Sequence, residues 1–192
     1  MSRARIASVV VFGVLLMLTP AARAATGFGF ITAWGTAGFE EGQLFTPVDV
    51  ATDNRGDVYV VEFNNHRIQK FDSSGRFIAK WGSFGFGDGQ FFSPSGVATD
   101  NRGNVYVADS RNDLIQKFDS SGTFITQWGS AGSGDGQFDY PAGIATDNHG
   151  DVYVTEFFGD RVQKFDSSGR FITKWGSSGY GPPGQFTAPY GV

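Results

Sequence analysis

The chain has 192 residues, 40% hydrophobic and 16% aromatic, with 20 Phe, 28 Gly and a formal charge of −4. So much apolar ring surface excludes a disordered chain, and the lack of Cys excludes disulfides, thiolate metal sites and a thiol nucleophile. The acid excess argues against nucleic acid as a partner, because phosphate contacts need a basic face.

Residues 1–24 read as a secretory signal peptide. Arg3 and Arg5 precede an apolar run from Ile6 to Leu18, and Ala22-Arg23-Ala24 supplies small residues for cleavage after Ala24. The run is shorter than the ~20 residues that a bilayer-crossing helix needs. The leader holds Arg3, Arg5, Arg23 and no acid, so the remainder is more acidic still. The expected location is secreted or periplasmic, with no membrane insertion after cleavage.

Residues 25–192 are a tandem repeat. Trp-Gly recurs at Trp34, Trp81, Trp128 and Trp175, a spacing of 47 residues. Ala-Thr-Asp-Asn recurs from Ala51, Ala98 and Ala145, and Lys-Phe-Asp-Ser-Ser-Gly from Lys70, Lys117 and Lys164. Segments 81–127 and 128–174 are identical at 30 of 47 positions. The repeats therefore run over about 34–80, 81–127 and 128–174, with the start of a fourth over 175–192.

Each repeat reads as four short strands. In the first repeat Val48–Thr52 leads to the turn Asp53-Asn54-Arg55-Gly56, where Asn and Gly suit positive φ. Asp57–Val61 follows, then a variable loop over Glu62–Asn65, then Arg67–Phe71. Asp72-Ser73-Ser74-Gly75 repeats the turn chemistry before Arg76–Trp81, in which Phe77, Ala79 and Trp81 share one face. Four-stranded units of this length in tandem predict an all-β fold, a β-propeller. Val58-Tyr59-Val60-Val61 is apolar on both faces, so each sheet needs a cover on both sides, which neighbouring blades supply. Trp81, Trp128 and Trp175 are expected to pack between blades.

Pro94-Ser95-Gly96-Val97-Ala98-Thr99-Asp100, Gly103-Asn104-Val105-Tyr106-Val107-Ala108-Asp109 and Ile115-Gln116-Lys117-Phe118-Asp119 together resemble the NHL repeat, as does Asn65-His66-Arg67-Ile68-Gln69-Lys70-Phe71-Asp72. The resemblance implies a propeller, usually of six blades, that binds protein or RNA. A minority of relatives are enzymes, such as the peptide-amidating lyase with a metal in the channel. The name-giving triplet stands as Asn65-His66-Arg67 once and becomes Asn112-Asp113-Leu114 and Gly159-Asp160-Arg161 later. The first strand has Asp49 where later repeats have Gly96, Gly143 and Gly191. Three complete repeats with partial ones point to a fragment of a six-bladed ring. The alternative is a half-ring that self-associates through its open blade edges.

Catalytic chemistry finds little support. His66 and His149 lie in different loops of different repeats, so they form neither a dyad nor a three-ligand metal site. No cofactor is expected, with calcium or zinc admitted only in blades beyond this sequence. Asp53, Asp100 and Asp147, and Asp72, Asp119 and Asp166, recur in every copy and read as turn-forming acceptors. Asp88-Gly89 and Asp135-Gly136 lack the alternating acids of a calcium loop.

Function in a repeat array tends to sit where copies differ. The differences concentrate after the second strand, on what should be one rim. The candidate binding residues are Asp49, Glu62, Phe63, Asn64, His66, Asp109, Arg111, Asn112, Glu156, Phe157, Phe158 and Asp160. Whether Phe63, Phe157 and Phe158 stand free or fold back onto a blade is open. The expected function is a non-catalytic, extracytoplasmic scaffold that binds protein, peptide or glycan. The alternative is a metal-dependent propeller lyase or lactonase-type enzyme.

Overall fold

A computed structural model describes residues 31–191, so the leader and its cleavage after Ala24 lie outside the described residues. Two-residue strands β1 (Thr36–Ala37) and β2 (Gln43–Leu44) precede β3 (Pro47–Thr52), β4 (Val58–Glu62), β5 (Arg67–Phe71) and β6 (Phe77–Trp81). The second repeat supplies β7 (Pro94–Thr99), β8 (Val105–Asp109), β9 (Leu114–Phe118) and β10 (Phe124–Trp128). The third supplies β11 (Pro141–Thr146), β12 (Val152–Glu156), β13 (Arg161–Phe165) and β14 (Phe171–Trp175), followed by the short β15 (Ser177–Ser178) and β16 (Gln185–Phe186).

Each set of four is an antiparallel meander in sequence order, which is a propeller blade. The register slips near the start of each first strand, at Pro47/Asp49, Pro94/Gly96 and Pro141/Ile144. Proline there has no N–H to give the ladder, so the chain bulges past it. The third strands fall where the repeat predicts. The second strands begin and end one residue later than expected, so Glu62, Asp109 and Glu156 are strand residues.

The core lies between blades. Tyr59, Val61 and Ile68 of the first blade meet Val97, Val105, Val107 and Phe118 of the second. Tyr106, Ala108 and Ile115 of the second meet Ile144, Val152, Val154 and Phe165 of the third. Each Trp that precedes a blade packs on it: Trp34 to Phe71 at 4.6 Å between ring centroids, Trp81 to Phe118 at 5.9 Å and Trp128 to Phe165 at 6.0 Å. The glycine of the second turn makes room for the indole. At Gly122, where φ is +89°, an added Cβ would lie 2.6 Å from Trp81 Cδ2. Trp175 has no such partner among the described residues and is 43% exposed.

Hydrogen bonds that recur from one blade boundary to the next reinforce the packing. Thr99 Oγ1 donates to Thr52 O (2.8 Å) and Thr146 Oγ1 to Thr99 O (2.7 Å). Lys70 Nζ donates to Ser120 O (3.0 Å) and Lys117 Nζ to Ser167 O (2.8 Å). First strands of successive blades come so close that a Cβ on Gly96 would be 2.4 Å from Ala142 O. Asp49 occupies the equivalent place one blade earlier. Its carboxylate accepts from Val97 N across the blade boundary (2.9 Å) and from Val50 N (2.8 Å). Burial nonetheless holds that carboxyl above its ordinary value, the two N–H donors only partly offsetting it.

Candidate rim site

An antiparallel meander sends its two Asp-led turns to one end of the blade. The loop between second and third strands and the spacer to the next blade go to the other. At the turn end Asp53 Oδ1 accepts from Arg55 N (2.9 Å) and Asp57 N (3.0 Å), and Oδ2 accepts from Tyr59 Oη (3.0 Å). Asp100 and Asp147 do the same in their blades, a structural use of carboxylates that leaves little for a ligand. His149 sits among these turns with its side chain 87% exposed, 3.8 Å from Asp147.

At the other end the spacer is organised by buried amides. Gln116 Oε1 accepts from Gly89 N (2.8 Å) while its Nε2 donates to Gln90 O (2.6 Å). Gln69 and Gln163 repeat this in their blades. Asp88 and Asp135 lie on the outside of these spacers, and Asp135 pairs with Lys174 at 2.7 Å.

Three of the expected rim acids are not on the rim surface. Glu62, Asp109 and Glu156 are fully buried, because the strands carry them one residue further than the sequence reading placed them. Each anchors the spacer before its own blade: Glu62 accepts from Phe45 N (2.7 Å), Asp109 from Phe92 N (2.8 Å) and Glu156 from Asp139 N (2.9 Å). Arg67 Nε meets Glu62 at 2.5 Å and Arg161 Nε meets Glu156 at 2.6 Å. Asp109 has Leu114 where those blades have Arg, and it relies on Asn112 Nδ2 (2.7 Å) and Gln116 Nε2 (3.1 Å). Without a cation, burial pushes its carboxyl up to about 6.

A second device ties one blade's loop to the next spacer. Thr46, Ser93, Tyr140 and Ala188 have positive φ, as do His66, Asp113 and Asp160. The N–H of Ser93 is accepted by His66 Nδ1 (3.0 Å), that of Tyr140 by Asp113 Oδ1 (2.9 Å) and that of Ala188 by Asp160 Oδ1 (2.8 Å). His66 is therefore a half-buried acceptor rather than a solvated loop residue. Burial and then the charge of Arg111 hold its imidazole below 6.5, which suits an unprotonated Nδ1. Asn64 is exposed and donates to Thr46 Oγ1 (3.0 Å).

Exposed rings stand at this end on the spacers, at Phe39, Phe84 and Phe86, and at Phe158 between the second and third blades. A cavity of about 610 Å³ is lined by Phe92, Ser110, Arg111, Asp113, Asp139, Tyr140, Phe157, Phe158 and Tyr190. Phe158 is exposed and stands at 4.9 Å and 88° to the half-buried Phe157. Tyr140 lies 5.5 Å from Phe158, and Tyr190 lies 6.2 Å from Phe157. Arg111 lies over the Phe92 ring at 5.2 Å. Phe92 continues into a second aromatic group with His66, Phe84 and Phe86. Phe63 is half-buried and lines no part of the cavity.

Of the residues singled out from sequence, Arg111, Phe157 and Phe158 meet in this cavity. Asp49, His66, Asn112 and Asp160 serve contacts within or between blades. Phe92, Ser110, Asp113, Asp139, Tyr140 and Tyr190 complete it. The floor holds a buried hydroxyl relay, Ser110 Oγ to Ser95 Oγ (2.5 Å) and Ser95 Oγ to Ala142 O (2.9 Å), with no histidine beside it. No group of three or more His, Cys, Asp or Glu able to hold a metal occurs among the described residues. The arrangement offers ring faces, one guanidinium and two carboxylates.

Residues 46–71 and 91–118 match the profile of the NHL repeat. The match lies in the first and second blades. The chain is 50% identical over 44 residues to the B-box type zinc finger protein ncl-1 of Caenorhabditis elegans, a stretch covering 23% of this chain and 5% of that protein. It is 48% identical over 44 residues to protein brain tumor of Drosophila melanogaster, covering 23% of this chain and 4% of that one. Among solved structures, a streptogramin B lyase aligns with a TM-score of 0.56 at 20% identity, over 76% of this chain and 44% of the lyase. A chain of a nidogen/laminin complex aligns with a TM-score of 0.52 at 21% identity, over 71% and 51% of the two chains. These likenesses show the propeller fold. The chain spans a small part of the two sequence relatives and about half or less of the two structures.

Proposed function

We propose that the chain is a non-catalytic binding module that recognises a protein or peptide through the rim cavity between its second and third repeats. The observation that carries the reading is the cavity itself. Here, among the described residues, exposed rings, a guanidinium and carboxylates converge on positions that differ between repeats. Aromatic and Arg side chains beside a polar border are the usual make-up of a recognition surface. An extracytoplasmic setting is part of this reading and rests on the charged, apolar and small-residue segments of the first 24 residues.

Partner capture by the wild-type chain, by Phe158→Ser and by Lys80→Ser tests it. Phe158 lines the cavity, while Lys80 lies on the outer strand β6 and pairs with Glu41. A captured partner retained by Lys80→Ser and lost by Phe158→Ser supports the reading. Equal retention by both variants, or chemical conversion of the captured molecule, overturns it.

A further inference from the structure

The cavity differs in chemistry from its counterpart one blade earlier, and the difference is one of charge. Asp113 and Asp139 both line it. Counting back one repeat of 47 residues, their equivalents are His66 and Phe92, a neutral acceptor and a ring. Tyr140 and Phe158 likewise stand where the previous repeat has Ser93 and Arg111. The same frame thus builds an aromatic group beside a cation in one place and an aromatic cavity with two carboxylates in the next.

Those carboxylates lack cations. Asp113 uses Oδ1 to accept from Tyr140 N, and neither its Oδ2 nor the carboxylate of the exposed Asp139 has a hydrogen-bond or ion-pair partner among the described residues. Burial first, and then the nearby charge of Asp139, hold the Asp113 carboxyl above its ordinary value despite the Tyr140 N–H. Arg111, the cation in the cavity wall, lies over the Phe92 ring at 5.2 Å and forms no ion pair with either acid among the described residues. That contact also shows a guanidinium resting on a ring of this cavity. Phe157, Phe158, Tyr140 and Tyr190 present further rings beside the two acids.

We propose that the occupant of this cavity is a segment of a partner protein that presents an arginine flanked by apolar residues. Its guanidinium would pair with Asp139 and Asp113 while lying against the Tyr140–Phe158 rings, gaining charge-assisted hydrogen bonds and a cation–π contact together. Its apolar neighbours would cover Phe157, Phe158 and Tyr190. The inference rests on the proposed binding role of the same cavity and adds the sign and kind of the anchoring side chain.

The test uses three blocked pentapeptides, Gly-Phe-X-Phe-Gly with X as arginine, citrulline or glutamate, titrated calorimetrically against the full chain. Citrulline keeps the shape and most donors of arginine and removes the charge. The arginine peptide should bind roughly tenfold tighter than the citrulline peptide, with the advantage shrinking at high salt. Asp139→Phe, which installs the residue found one repeat earlier, should cut that advantage at least threefold while the thermal midpoint stays roughly unchanged. Asp88→Asn, outside the cavity, should leave it intact. Equal binding of the arginine and citrulline peptides, tighter binding of the glutamate peptide, or no binding of any of them overturns the inference. Equal binding that is lost in Phe158→Ser would still leave the cavity a recognition site. Failure of the charge preference is thereby distinguished from failure of the binding role.

Discussion

Replacing Arg161 with Leu would give the third blade the residue that the second carries at Leu114. Arg161 Nε donates to Glu156 at 2.6 Å, and its Nη atoms donate to Ser133 O (2.5 Å), Gly134 O (3.1 Å) and Gln137 O (2.8 Å). Glu156 is fully buried, so Arg161→Leu leaves a buried carboxylate without its cation, a loss of about 3–5 kcal/mol. Asp109 supplies an internal gauge. It lacks a cation and its carboxyl is raised from 3.8 to about 6, a difference worth about 3 kcal/mol. The pH dependence follows from the sign of that shift. A carboxyl raised on folding contributes stability that is present below its unfolded value and lost as pH rises through the folded one. The Arg161→Leu deficit should therefore be largest at neutral pH and smaller near pH ~5. Adding Glu156→Asp and Gly159→Asn completes the second blade's arrangement of a shorter acid held by an amide, and should recover more than half of the loss. Urea unfolding followed by Trp fluorescence at both pH values measures this. A deficit under about 1 kcal/mol, or one independent of pH, would refute the assignment of Glu156 as a buried charge neutralised by Arg161.

Trp128→Ala should cost about 3–5 kcal/mol by emptying the space between the second and third blades. Trp175→Ala should cost well under half of that in this chain, because Trp175 is 43% exposed; thermal melts compare the two. Gly122→Ala forces a Cβ to within 2.6 Å of the Trp81 ring at a φ of +89° and should destabilise by more than about 1 kcal/mol, read by the same melts. His66 has its imidazole held below 6.5, so its contribution is present above that value and lost as pH falls through the folded one. His66→Asp supplies the acceptor used at Asp113 and Asp160 and should remove that part of the acid sensitivity, visible as a flatter midpoint-against-pH curve between pH ~5 and ~7. Phe158→Ala, at an exposed ring, should shift the thermal midpoint by no more than a degree or two while weakening capture at least tenfold.

The frame was legible because it is written three times. Trp-Gly at a constant spacing, the Asp-led turns and the two-sided apolar second strands leave one architecture that covers every sheet. The buried acids were harder to read. Glu62 and Glu156 fall where copies differ, which suggested a surface, yet each has Arg five residues on, and the copy with Asp109 has Leu114 there. Acid and partner change together between repeats, and that paired change was the available signal of an internal ion pair. His66 shows the same limit. Its acceptor role depends on a neighbouring repeat's backbone in a left-handed conformation, which spacing does not encode. The cavity was half legible. Arg111, Phe157 and Phe158 lie in the variable window, whereas Phe92, Asp139 and Tyr140 sit just before the next first strand. They also differ between repeats, as Phe45, Phe92 and Asp139 and as Thr46, Ser93 and Tyr140 show. Only the antiparallel return of each blade brings the two windows to one rim.

The central claim is that a shared packing frame carries a binding site made from the residues by which the repeats differ. The most direct measurement exchanges those residues for their counterparts, in the triple variant Asp139→Phe, Tyr140→Ser and Phe158→Arg. Partner binding and thermal midpoint are then recorded on the same preparation. The account predicts a midpoint within a few degrees of wild type and binding reduced beyond detection. Undiminished binding by a variant that melts as the wild type does would contradict it.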